Sequence, residues 1–161
     1  IEAALIASGL GPGRHRDHAM AHWPTMANEW RPPGVLETVD CPSIVGSDVS
    51  ADAVAAAGRN AERAGVHLAF GVRAAADVVP HDGPPGLIVA NPPYGARLQG
   101  LAPAFSQLEA LHGRLAGWRA VVLYPADARQ PQGWESLATL NNGGIRVRVL
   151  ASSPMIPRRG Y

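Results

Sequence analysis

The apolar run LIVA, Leu87 to Ala90, leads without a break into Asn91-Pro92-Pro93-Tyr94. Four consecutive apolar residues bounded by turn formers read as a strand buried on both faces, as strands of parallel sheets usually are. Proline fixes φ and has no N–H, so Pro92 and Pro93 stiffen the backbone where it leaves the sheet. Asn-Pro is also an ordinary turn signal. The rest of the chain decides whether this corner is punctuation or a site.

The flanking pattern sets the corner in an alternation of strands and helices. Residues 1–8 (IEAALIAS) read as a helix ending at Gly9, and residues 14–30 as irregular or briefly helical. Ile44–Asp48 is expected as a strand with an acid at its carboxyl end. Ser50 then caps a helix over 51–65, which Gly65 terminates. Val54, Ala57 and Ala61 form that helix's apolar stripe, with Arg59, Glu62 and Arg63 facing water. His67–Val72 and Leu87–Ala90 follow as strands, 102–116 as a helix with Phe105, Leu108, Leu111 and Leu115 on one side, and 118–124 as a buried strand. A short helix near 134–140, the NNGG turn and a period-two strand IRVRVLA close the pattern. This predicts an α/β chain with an open, mostly parallel sheet and helices on both faces.

Length and composition narrow the class. A chain of 161 residues with 47% hydrophobic content suits a single globular domain with a real core. The formal charge of +1 gives no global attraction for nucleic acid, so any such partner needs a local patch or another part of the protein. All fourteen basic residues are arginine, which can grip phosphate through two parallel hydrogen bonds. A single cysteine, Cys41, excludes an internal disulfide and a thiolate zinc cluster, and favours a reducing, cytoplasmic setting. No apolar run approaches the ~20 residues of a membrane helix. The opening IEAALIASG reads as the interior of a helix, so further sequence is expected upstream.

In open α/β sheets, ligands bind beyond the carboxyl ends of the strands, where both Asp48 and Asn91 fall. A carboxylate after the second strand of a mononucleotide fold accepts hydrogen bonds from ribose hydroxyls. At the proline corner, the Asn91 side-chain oxygen and the Pro92 carbonyl can converge on one planar NH2 group. Accepting both N–H bonds draws that nitrogen toward tetrahedral geometry and frees its lone pair for attack. Tyr94 offers a flat face for stacking on a base, and Gly95 lets a substrate approach the backbone. The chemistry implied is methyl transfer from a sulfonium to nitrogen, accelerated mainly by positioning.

Asn91-Pro92-Pro93-Tyr94 resembles the motif of S-adenosylmethionine-dependent amino methyltransferases. The longer NPPYGARL, with Gly95 and Arg97, is most similar to the rRNA guanine-N2 methyltransferases of the large subunit, whose full-length members carry an RNA-binding THUMP domain. IEAALIASGLGPGRHRDHAMAHWP resembles the helix and insertion after that family's first glycine motif, and IVGSDVSADAVAAAGRNAERAGV its ribose-binding strand and helix. The resemblance covers nearly the whole chain and is strongest over 1–24, 44–66 and 87–98.

It implies a Rossmann-like class I methyltransferase fold, truncated at its amino end as one partial domain over 1–161, with the first strand and glycine-rich loop missing. Asp48 would then bind the cofactor ribose, with Asn91 also beside the cofactor. Asn91 and the Pro92 carbonyl would hold the target amine, and Tyr94 would stack on an extruded base. Pro93, Gly95 and Arg97 would line the substrate side. Where the family places an adenine-binding aspartate this chain has Ala74, and Asp77 is the nearest substitute. The implied partner is RNA, with 23S rRNA guanine N2 favoured and tRNA as an alternative, held by an upstream RNA-binding domain and with no membrane.

Plainer readings stand beside these. Asp48 can serve as a local cap and Asp77 as a solvated loop acid. His15, His18 and His22 share a helical face at metal-binding spacing, yet lack a thiol or carboxylate partner, so no metal is expected. Trp23, Trp30 and Trp118 read as packing residues, and Arg14, Arg16, Arg158 and Arg159 as phosphate contacts or solvated surface. Competing functions are DNA adenine-N6 or protein glutamine-N5 transfer, and a degenerate, non-catalytic RNA-binding scaffold, which Ala74 and the missing glycine loop favour.

Overall fold

A computed structural model describes residues 1–10, 22–24, 42–80, 82–93 and 100–153. The chain divides into two compact units, Ile1–Arg73 and Ala74–Tyr161.

In the first unit, α1 (Glu2–Ala7) is followed by β1 (Val45–Asp48), α2 (Ala51–Ala64) and β2 (Ala69–Val72). Ser50 Oγ accepts from the Ala53 N–H at the start of α2, the cap expected from the sequence. The helix ends at Gly65, with φ 69°, where Gly65 N–H donates to the Glu62 carbonyl and Val66 N–H to Ala61. This paired closure turns Val66 back onto Ala61, and both are buried. Gly9 and Leu10 close α1 through the same pair of bonds, to Ile6 and Leu5. The two ends thereby deliver Leu5, Ala61 and Val66 to one core with Ala4, against which Ile44, Leu68 and Phe70 pack. β1 and β2 pair in parallel, Val45 opposite Ala69 and Asp48 opposite Val72. Arg59, Glu62 and Arg63 are exposed, as the helical stripe predicts.

The second unit holds a 3₁₀ turn (Ala75–Asp77), β3 (Leu87–Ala90), α3 (Leu101–Arg114), β4 (Arg119–Pro125), β5 (Trp134–Asn142) and β6 (Ile145–Ser152). Its sheet has the order β3-β4-β6-β5. β3 pairs with β4 in parallel, and β6 is antiparallel to both β4 and β5. Two parallel and two antiparallel pairings make the described sheets mixed rather than mostly parallel. Phe105 and Leu108 of α3 pack on Ala120, Val122, Trp134 and Leu150, with Ile88 and Ala90 at the margin.

Three further sequence expectations change. The LIVA run is buried on one face only. Ile88 and Ala90 pack beneath α3, whereas Leu87 and Val89 are 55% and 73% exposed. The helix expected near 134–140 is instead strand β5, because Gly143 and Gly144 fold 134–152 into a hairpin whose backbone ladder overrides the local apolar spacing. Trp23 is 54% exposed rather than packed. Most of 14–30, including His15, His18 and Trp30, lies outside the described residues, as does 154–161.

Candidate functional site

Asp48 stands at the carboxyl end of β1, as the sequence predicts, and is exposed. Its Oδ1 accepts the Ser50 N–H at 2.8 Å, while its carbonyl accepts from Arg73 N–H at 2.9 Å beyond β2. The backbone is thus tied on both sides and one carboxylate oxygen is turned into the local cap. The second carboxylate oxygen retains lone pairs for a hydroxyl donor.

Asn91 directly follows β3, at the carboxyl end of a parallel strand, and is exposed. Pro92 is buried and Pro93 half-buried. An added Cβ at Gly100 would lie 3.0 Å from Pro93 Cγ, so that ring rests directly against the start of α3. The corner is therefore wedged between sheet and helix by its prolines, while the amide beside them stays accessible. Tyr94, Gly95 and Arg97 lie outside the described residues.

Ala74 precedes the 3₁₀ turn, and Asp77 is its exposed last residue. The Arg114 side chain from the last turn of α3 donates to the carbonyls of Ala76 and Val78, holding both sides of Asp77 in place. The sequence reading did not assign Arg114 this part. Its signal is weak, since a basic residue in the last turn of a helix also suits the helix dipole.

A buried polar cluster was also missed. His112 is 7% and Ser152 4% exposed. His112 Nε2 lies 3.0 Å from the Trp118 carbonyl and 3.1 Å from Ser152 Oγ, which accepts the Ala120 N–H at 2.9 Å. A carbonyl oxygen can only accept, so Nε2 carries a hydrogen. The cluster ties α3 to the start of β4 and the end of β6. Arg148 is a second hub: it donates to the carbonyls of Pro125 and Ala128 and to Gln130 Oε1, and Gln130 Nε2 donates to the Trp134 carbonyl. These bonds fix the segment 126–133. Among the described residues, no group of three or more His, Cys, Asp or Glu is arranged to hold a metal ion, and no helix is long and apolar enough to cross a membrane.

Comparison with known proteins follows the same lines. A "possible methylase" from Clostridium difficile 630 matches 99% of the chain and 46% of its own length, with a TM-score of 0.72 at 22% identity. SMU.472, solved as a complex with SAH, matches 99% of the chain and 45% of its own, with a TM-score of 0.68 at 22% identity. These likenesses give the chain the α/β, Rossmann-like fold of a methyltransferase domain. Two curated relatives share the name ribosomal RNA large subunit methyltransferase K/L. The protein of Methylococcus capsulatus is 35% identical over 138 residues, and that of Shewanella sediminis 36% identical over 141. Each alignment covers 76% of this chain but only 19% of the relative. The model of the RMKL-like methyltransferase domain matches residues 1–122, about three quarters of the sequence, and the chain belongs to that family.

Proposed function

We propose that the protein transfers a methyl group from S-adenosylmethionine to an exocyclic amino nitrogen of a base in RNA, with guanine N2 of 23S rRNA as the favoured target. The observation that carries this reading is the corner after β3. Asn91 is exposed at a strand's carboxyl end while the buried Pro92 fixes the backbone beside it. That arrangement supports two acceptor oxygens aimed at one amino group, with Tyr94, next but one after Pro92 in the sequence, as the stacking plate. Membership of a methyltransferase family, the names of the two curated relatives and the SAH held by SMU.472 support the same chemistry.

The residues fit the cofactor in part. Asp48 retains a carboxylate oxygen for ribose hydroxyls, and Arg114 holds the turn that carries Asp77, three residues after the Ala74 that stands in place of the family's adenine-binding acid. When bound, S-adenosylmethionine supplies the methyl group. This chain's residues orient the acceptor: Asn91 and the Pro92 carbonyl take the two N–H bonds, and Pro93, Gly95 and Arg97 border the substrate. Extrusion of the base exposes its reacting edge. Affinity for RNA draws on an RNA-binding domain elsewhere in the intact, cytoplasmic protein, because the chain's own charge is only +1.

The test is transfer of labelled methyl by the full-length protein to unmodified large-subunit rRNA, with tRNA, DNA and protein acceptors alongside. Asn91→Ala is expected to lower turnover about 100-fold or more, with cofactor affinity by calorimetry retained. Label on tRNA, DNA or protein alone would reassign the substrate. Absence of transfer with RNA binding retained would favour the non-catalytic scaffold, and full activity of Asn91→Ala would overturn the role of the corner.

A further inference from the structure

The second unit carries a cleft of about 770 Å³ that the methyl-transfer chemistry does not use, bounded by α3, Tyr124 and residues 129–132. Its origin lies in an unusual connection. β4 and β5 run in the same direction, since each is antiparallel to β6. Such crossovers usually take about a dozen residues or more and contain a helix. Here the crossover spans only 126–133 and is pinned by Arg148 and Gln130, so a strip beside α3 stays open.

The cleft adjoins the proline corner. Ala90 pairs with Val122, so Tyr124, two residues further along β4 and on the same face, stands beyond the point where β3 gives way to Asn91. Leu101 of the cleft follows Gly100, which lies against Pro93. The half-buried Tyr124 ring meets Phe105 edge to face at 5.2 Å. Glu109, Arg129 and Gln132, all exposed, are among the residues that line the cleft. An aromatic floor with a guanidinium for phosphate and polar groups for a base edge is the composition of a single-stranded nucleic acid site.

We propose that this cleft receives the nucleotide next to the one methylated. The inference rests on the methyl-transfer reading. Extruding a target base strips its neighbour of a stacking partner, and Tyr124 replaces that partner. Arg129 pairs with the phosphate between the two, and Glu109 accepts from the neighbour's N–H groups.

The experiment uses the full-length protein and rRNA fragments carrying 4-thiouridine beside the target guanosine. Ultraviolet cross-links are expected on the peptides holding Tyr124 and residues 129–132. Glu109→Ala and Arg129→Ala should each raise the KM for RNA about tenfold, with kcat at saturating RNA and cofactor affinity kept. Arg129→Ala should also reduce the salt slope of binding by about one. Cross-links confined to other peptides, with both variants kinetically normal, would overturn the cleft assignment while leaving the methyl-transfer reading intact. Hydrogen exchange showing α3 and 126–133 already covered in the RNA-free protein would also overturn it, marking the cleft as a seat for another protein segment. A wild-type protein that methylates no RNA would remove both.

Discussion

A methyl group added at Gly46 would lie 2.6 Å from Cδ1 and 2.7 Å from Cε1 of Phe70, well inside van der Waals contact. The Cδ1–Cε1 edge of that ring abuts β1 only because β1 has no side chain there, and this lets Phe70 pack against the first unit's core. Gly46→Ala should therefore cost about 1–3 kcal/mol by overpacking, measured by urea denaturation, with Phe70→Leu restoring part of the loss. If Gly46→Ala alone is neutral, the packing of that ring is not what holds β1. His112 makes the opposite kind of demand, since removing it takes partners from its neighbours rather than crowding them. His112→Ala would remove one donor from the Trp118 carbonyl and one partner from Ser152. A loss of about 1–3 kcal/mol is expected, and a smaller one would show that water reaches the cavity.

At the scale of elements, the hairpin β5–β6 shows which signals the sequence carried and which it concealed. Gly143 and Gly144 have φ of 58° and 88°, the pair of positive values that a two-residue type I′ turn requires. Asn142 pairs with Ile145 across it, and Gly144 N–H donates to Asn141 Oδ1 at 2.8 Å. Gly143→Asn should be nearly neutral, because asparagine tolerates the left-handed region. Gly144→Val should cost about 1–2 kcal/mol, and equal midpoints for the two variants would refute the turn type. NNGG thus announced the hairpin, and IRVRVLA its second strand. The first strand was hidden because Trp134, Leu137 and Ala138 recur at helical spacing. Only Trp134 enters the core, and the rest of β5 is exposed, so no burial pattern marks it. The caps at Ser50 and Gly65 and the strand ends at Asp48 and Asn91 were legible because each depends on local chemistry. The Arg148 and His112 hubs were not, since they join residues distant in sequence through backbone carbonyls that a sequence does not display.

At the scale of the whole molecule, the two units have cores of different kinds. The first is built from Ala4, Leu5, Ala61 and Val66 around a two-stranded sheet. The second places Phe105, Trp134, Leu108, Val122 and Leu150 on a four-stranded sheet. Hydrophobic stabilisation scales with apolar area removed from water, and sheets below three strands are marginal by themselves. Amides of Val122 and Leu150 should therefore exchange slowest, and those of Val45–Asp48 faster, so that local opening of the first unit precedes global unfolding. Uniform protection across both sheets would mean that they open as one cooperative body. The same experiment bears on the cofactor. A ligand at a hundred times its Kd stabilises its site by about 2.7 kcal/mol, and if Asp48 holds the ribose this gain should register at β1 and the turn to Ser50. Asp48→Asn keeps an oxygen for the Ser50 N–H while weakening the grip on two hydroxyls. In that variant the ligand-induced protection should fall while the ligand-free exchange pattern stays the same. Unchanged ligand-induced protection would leave Asp48 with its capping role alone.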